Sequence, residues 1–334
     1  MKRSILSLLY LIQGMQKAGV DLDYKLKKIG LNVDAIDSSA IIHPKLEWDI
    51  LSVLGENIEP HQGLLIGQHY SLAGYGPLLM LLISSPNIKT ALEKGVQYGR
   101  LTHLTGELGL NFKDENICLT YKPVNLNSKF GQLLAHCEIS GKYRFIQDIY
   151  KMMELKIPKA EIYLPFEKPN ESFVMEMYQK TYGEHIIFNA DIASFNFNKK
   201  VLEEEIPSRD KITFKAYEQK CISELERLDS IYESATLIQR VKDYLEIQNG
   251  TIPTMSETAK ALHVPERTLR HQLQQQKTSY KIIREEIIKN KALRLIEYEE
   301  YSIEMIAELL GYSEPAAFNH AFKRWFGQSP RQYK

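Results

Sequence analysis

The sequence predicts an α+β N-terminal domain followed by an all-α C-terminal domain with two helix-turn-helix motifs joined by a long helix. Three observations lead there. Two segments of alternating polarity, at about 107–113 and 116–122, lie among amphipathic stretches in the first part of the chain. Beyond about residue 236 every apolar rhythm is helical. Within that last part, two short apolar stripes around a tight turn occur twice, roughly fifty residues apart.

Length and charge are consistent with this division. A chain of 334 residues has room for two or three domains with cores of their own. Its 42 Lys and Arg balance 42 Asp and Glu, so no global charge points to a polyanion. The balance is uneven along the chain: residues 251–334 hold 13 basic against 10 acidic side chains. That slight excess suits a polyanionic partner at the C-terminal end. Cys118, Cys137 and Cys221 are far apart and odd in number, which argues against a disulfide framework or a structural zinc site. They read as buried small hydrophobes in a reducing cytoplasm, and no cofactor is expected.

Element by element, the first region reads as helices at 4–18, 22–30 and 46–57. Lys2 and Arg3 before "ILSLLYLI" imitate a secretory leader. The apolar run is short, no small-x-small cleavage site follows, and Ile5, Leu8, Leu9, Ile12 and Met15 keep helical spacing. No run is long enough to span a bilayer. Glycines frame an apolar stretch, Leu78 to Ile83. Ser85-Pro86-Asn87 punctuates it before a helix from about 88 to 101. The strands 107–113 and 116–122 follow as a hairpin, then a helix at 130–153, a strand in "AEIYLP", a helix at 170–183 ending at Gly183, and a strand and turn in "HIIFNADIASFNFNKKVL". The domains are therefore placed at 1–205 for a regulatory region, 206–233 for a linker helix and 234–334 for the helical region. A helix at 211–228 carries Tyr217, Cys221, Leu225 and Leu228 near one side. It serves either as a seam between two chains or as packing against its own domain.

After the boundary, helices are expected at 236–248, 255–262, 265–276, 279–297, 303–310 and 314–326. Ile303, Ile306, Ala307 and Leu310 form one stripe at i, i+3, i+4 and i+7. Ala307 is small enough for a crossing helix, and Gly311 suits a left-handed helix end. Ser313 is expected to cap the next helix, with Pro315 in its first turn. Phe318, Ala321, Phe322 and Trp325 then form a second stripe, and Ala316, Asn319, His320 and Lys323 lie opposite, with Arg324 adjoining. A small or polar outward face is what a helix seated in a major groove requires. Upstream, "SETAKALHVPERTLRHQLQQQ" repeats the pattern: Ala259 and Leu262 in the first helix, Leu269 and Leu273 in the second, and Arg267, Arg270, His271 and Gln274 outward. A connecting helix of about 30 Å would separate the two, close to the ~34 Å of one B-DNA turn.

Taken together, Ile306-Ala307, Leu310-Gly311-Tyr312, Phe318, Ala321-Phe322-Lys323-Arg324-Trp325-Phe326-Gly327, Ser329-Pro330 and Tyr333 resemble the signature of the AraC/XylS family of bacterial transcription regulators. The similarity covers about 236–334. "GLLIGQHYSLAGYGPLLMLLISSPNIKTALEKGVQYGRL" and "YGEHIIFNADIASFNFNKKVLEEEIPSRD" are similar to the arabinose-binding-like N-terminal domain of regulators of the ornithine-utilisation kind. The resemblance implies a cytoplasmic activator that binds a double-stranded DNA operator, contacts RNA polymerase, answers a small-molecule effector and can form a homodimer. His271 and His320 stand where family members often carry Arg, His263 where the first turn usually has Gly, Pro265 at a common capping Ser, and Ile288 at a frequent Arg.

Tyr75, Tyr98, Arg100, His136 and Arg144 are the candidates for an effector site, since tyrosines near glycines suit a largely apolar cavity with a few polar anchors. His69, His103, His136 and Cys137 lack metal-ligand spacing. No G-x-S-x-G, Walker loop or H-E-x-x-H is present, so no enzyme is expected. An alkyl-transfer DNA-repair regulator would need clustered cysteines. A constitutive DNA-bending protein would have no use for so large an N-terminal domain.

Overall fold

The computed structural model describes all residues except 1–2, 30, 39, 43, 103, 114, 234–236, 249–251, 298–300 and 334. The chain begins with β1 (Arg3–Ser4), α1 (Leu6–Lys17), α2 (Asp23–Lys28), β2 (Ile41–Ile42), α3 (Pro44–Leu54), α4 (Gly63–Gly67), α5 (Gly76–Ile83) and α6 (Ile88–Gln97). It continues through β3 (Glu107–Lys113), β4 (Asn116–Lys122), α7 (Lys129–Met152), β5 (Ala160–Tyr163), α8 (Ser172–Tyr182), β6 (Ile186–Ile187), β7 (Ala193–Asn198) and α9 (Lys211–Glu233). The rest is helical: α10 (Leu237–Ile247), α11 (Met255–Ala261), α12 (Glu266–Gln275), α13 (Tyr280–Glu297), α14 (Ile303–Leu309), α15 (Pro315–Phe326) and α16 (Pro330–Tyr333). The expected α+β region followed by helices is therefore present.

Contacts divide the chain into two units. One contains residues 6–21 and 55–228, the other residues 1–5, 22–54 and 229–334. In the first, five strands run in the order β3-β4-β7-β5-β6, antiparallel except for the β5–β6 pair. The hairpin pairs Glu107 with Lys122 through Lys113 with Asn116. Its inner strand buries Ile117, Leu119 and Tyr121 on alternate positions, the period-2 pattern of a strand with one face on a core. Against the sheet lies α7, capped by Ser128, whose hydroxyl accepts from the Gly131 amide at 3.0 Å. Residues 133–143 of α7 are buried without a break, so this helix is central rather than amphipathic. Glycine permits its closest neighbour: a Cβ on Gly67 would lie 2.2 Å from the Cys137 carbonyl oxygen, and one on Gly63 2.5 Å from that of Leu133. The backbones of α4 and α7 approach where no side chain fits.

In the other unit α10 to α15 enclose a core of Val241, Leu245, Leu269, Ala292, Ile306 and Phe322. The segment 33–37 joins it. Ala35 is fully buried there, the Arg294 Nε donates to its carbonyl at 3.1 Å, and Glu246 accepts from the Asp37 amide at 3.1 Å. Arg294 also pairs with Glu246, and the Tyr301 hydroxyl donates to Asp34.

Several expectations change. Ser4, expected to open the first helix, instead lies in a strand in which Arg3 and Ser4 pair with Ile42 and Ile41, a partner that helical periodicity cannot reveal. The helix expected at 211–228 runs to Glu233, so it continues into the stretch 229–234 read as a boundary, of which residue 234 lies outside the described residues. Its Cys221 belongs to the core of its own unit, with Tyr217 and Leu225 packed beside it, which favours the second of the two roles considered. Cys137 and Cys221 are buried, but Cys118 is only half-buried. Of the histidines weighed as metal ligands, His69 is exposed and His103 lies outside the described residues. No helix among the described residues is long and apolar enough to cross a membrane.

Candidate nucleic-acid interface

Two helix–turn–helix segments share one backbone solution. In the first, α11 starts at a capping box: Thr254 accepts from the Glu257 amide while the Glu257 carboxylate accepts from the Thr254 amide at 2.7 Å. The helix ends where His263 turns left-handed, with φ 54°, and the Val264 amide returns to the Ala259 carbonyl at 3.0 Å. In the second, Ser302 caps α14, Gly311 takes φ 78°, and the Tyr312 amide returns to the Ala307 carbonyl at 2.9 Å. The equivalence of Ala259 with Ala307 and of His263 with Gly311 is thus one of hydrogen bonds as well as of sequence. Beyond the turn the register changes by one residue, because the second connection, 310–314, is one residue longer than the first, 262–265. The N-cap of α15 is accordingly Glu314, and no side chain caps the helix, so Ser313 does not take the expected role. Pro265 is likewise the N-cap of α12 without a side-chain bond.

Each second helix buries one side and exposes the other. Leu269 and Leu273 of α12, and Phe318 and Phe322 of α15, are fully or almost fully buried. Arg267, Arg270, His271 and Gln274 are exposed, as are Ala316, His320, Lys323 and Arg324, while Asn319 is half-buried. With the shifted register these pair off along the two helices: Arg267 with Ala316, Arg270 with Asn319, His271 with His320 and Gln274 with Lys323. Between them α13 spans 18 residues, about 27 Å at 1.5 Å per residue.

Neighbouring groups orient this surface. Arg270 pairs with Glu266 one turn earlier at 2.7 Å. Arg324 pairs with Glu285 of α13 at 2.6 Å, and the Trp325 indole donates to the same carboxylate at 2.8 Å. These bonds hold the Glu285 carboxyl below the usual carboxylate range. Both arginine pairs are exposed, so phosphate oxygens can exchange for the carboxylates at little loss. Glu285 was not singled out in the sequence, although the acidic pair Glu285-Glu286 in the first half of a basic helix was its signal. Arg240 donates to the Leu262 carbonyl at 2.9 Å, closing the end of α11.

The residues considered for an effector site are scattered through the other unit. Tyr75 lines an apolar cavity of about 100 Å³ bounded by α5, α6, the hairpin and α7, and its ring stacks on Phe145 at 3.8 Å. Tyr98 is buried, with the Lys94 ammonium 5.8 Å from its ring centre. Arg100 is exposed, and Arg144 pairs with Asp148 at 2.7 Å. His136 is buried against Phe166. Its Nδ1 lies 2.7 Å from the Gln132 carbonyl and its Nε2 2.5 Å from the Tyr178 hydroxyl. Donation from Nδ1 to the carbonyl leaves Nε2 to accept from Tyr178, and burial lowers this imidazole to about 4. The cavity has one basic lining residue that the sequence reading passed over, Lys142. Its signal was present: it falls on the stripe of Ala135, Ile139, Ile146 and Ile149 at helical spacing.

Known proteins resemble both parts. Residues 258–334 match the helix-turn-helix domain family, and residues 19–206 match the arabinose-binding domain of AraC transcription regulator, N-terminal. The chain is 24% identical over 278 residues to the ornithine utilization regulator of Pseudomonas aeruginosa, covering 83% of this chain and 79% of that one. It is 23% identical to the HTH-type transcriptional regulator VqsM of the same organism, covering 84% and 86%. Among solved structures, the transcriptional regulator CdpR from Pseudomonas aeruginosa aligns over 98% of this chain and 97% of its own, at a TM-score of 0.48 and 20% identity.

Proposed function

The chain belongs to the AraC family of DNA-binding transcription regulators, and from that premise we propose that it is a cytoplasmic activator that reads a double-stranded operator with α12 and α15 and is controlled by a small molecule bound in its N-terminal region. The observation that carries the DNA part is the pair of turns with matching hydrogen bonds, each followed by an exposed arc whose positions correspond once the one-residue offset is allowed for. Arg267, Arg270, His271 and Gln274 read one major groove; Ala316, Asn319, His320 and Lys323 read the next. Arg324 and the remaining exposed cations hold the phosphates. The region 234–334 is the DNA-binding domain, and contacts with RNA polymerase follow from the activator role.

Effector control rests on the similarity of residues 19–206 to a ligand-binding domain and on the cavity bounded by α5, α6 and α7. Pairing of two chains would raise operator affinity through effective concentration. Because Cys221, Tyr217 and Leu225 pack inward, such pairing would use a different face from the one first considered.

The test is selection of genomic fragments by the full chain, followed by footprinting. Protection of two major-groove segments about 10 base pairs apart supports the reading. Protection confined to one groove, or binding with no sequence preference, overturns it.

A further inference from the structure

The cavity between α5, α6, the β3–β4 hairpin and α7 is walled by aliphatic groups, among them Leu78, Leu82, Ile88, Leu119 and Ile146. Into this lining the fold places a lysine. Lys142 is 4% exposed, and among the described residues its Nζ has no hydrogen-bond partner; it lies 3.4 Å from the centre of the Tyr121 ring. One turn earlier on α7, Glu138 is buried, and its carboxylate accepts from the Thr105 amide at 2.6 Å, the Thr105 hydroxyl at 3.0 Å and the Tyr121 hydroxyl. The acid is thus held by other donors, while among the described residues the ammonium meets the face of an aromatic ring and no hydrogen-bond acceptor.

Burying an ammonium without an acceptor is unfavourable, and burial pushes Lys142 well below the usual lysine range, opposed by Glu138. Packing alone would be better served by Met or Leu on this stripe. A four-carbon stem lets Nζ leave the ring and meet an anion in the cavity. We infer that the cavity binds a small monocarboxylate, with its apolar body against the aliphatic walls and its carboxylate paired with Lys142. Cavities of about 150 Å³ hold benzene, so a volume of about 100 Å³ suits a compact body, a short or branched chain rather than a long one. Gly95 forms part of the wall, and a Cβ there would make only ordinary contact, 3.7 Å from Leu82 Cδ2. A larger side chain at this position would fill the space without clashing at its root. This inference rests on the proposal of effector control and names the ligand class for it.

The experiment is calorimetric titration and thermal shift of the full chain with 4-methylpentanoate, the matching amide and the matching amine. The expected result is binding of the acid at least tenfold tighter than of the amide or amine. In Lys142→Met the preference for acid over amide should vanish, and in Gly95→Leu binding of all three should vanish. Equal affinity for acid and amide in the unmodified chain, an undiminished acid affinity in Lys142→Met, or no binding of the acid would each overturn the inference. Operator affinity, measured in parallel, separates it from its premise. If the acid binds with this dependence on Lys142 yet leaves operator affinity unchanged, effector control falls and the carboxylate site stands. If a compound of another class changes operator affinity while the acid does not bind, the carboxylate site falls and effector control stands.

Discussion

At the level of single residues, three side chains make distinct demands. Arg270 projects from α12 and pairs with an exposed carboxylate, that of Glu266. Arg270→Ala should therefore lose about 1–3 kcal/mol of operator affinity, concentrated at one base position, as binding to a series of single-base operator variants will show. Lys142 works against the fold that buries it. Lys142→Met should raise the melting temperature of the unliganded protein, since it removes a buried cation from an apolar wall and keeps the length of the side chain. A fall in melting temperature would mean that the contact with Tyr121 outweighs desolvation. His136 sets a pH dependence. Its folded pKa of about 4 lies below the unfolded value near 6.5, so between these values the unfolded chain binds more protons. Stability is full above about pH 6.5 and falls as the pH drops towards 4, by about 2 kcal/mol at pH 5. Denaturant titrations at pH 7.5 and 5 will show this loss, and His136→Gln should reduce it.

For the elements, the turns matter most. Both repeats need a left-handed residue between their helices, and they supply it differently: His263 at φ 54° and Gly311 at φ 78°. Glycine takes this conformation without a Cβ penalty, which for other residues is about 1–2 kcal/mol. Gly311→Ala should destabilise the helical unit by about 1 kcal/mol, measured by thermal melting, and should weaken operator binding only as far as folding is lost. The elements themselves were largely legible. The hairpin falls on the residues that alternation indicated, because one face of β4 packs on a core and the other does not. The cap of α15 was not legible, because the second turn is one residue longer and the choice between Ser313 and Glu314 depends on where Phe318 must be buried.

For the whole molecule, the grouping of residues 22–54 with 229–334 means that chain order and compactness differ. A fragment of 229–334 lacks the segment in which Ala35 is buried and Asp37 donates to Glu246. We expect it to retain operator binding, because both turns and both exposed arcs lie within it, but to melt below the full chain. Gel-shift and thermal-melt measurements on the fragment will check this. An unfolded fragment would mean that the N-terminal segment is required for the core of α10 and α13.

The sequence by itself determined the two helix-turn-helix motifs and their outward arcs, because each follows from spacing within twenty or so residues, the range over which helical periodicity and turn chemistry act, while the family followed from resemblance to a known signature. Only the tertiary structure decided which candidates share a site. Tyr75 reached the cavity, while Tyr98, Arg100, His136 and Arg144 went elsewhere, because the wall is assembled from elements separated along the chain. It also decided that Lys142 is buried and Arg144, two residues on, pairs with Asp148. A residue's polarity is written in the sequence, but whether it meets water, a partner or an apolar wall depends on what the rest of the chain packs against it.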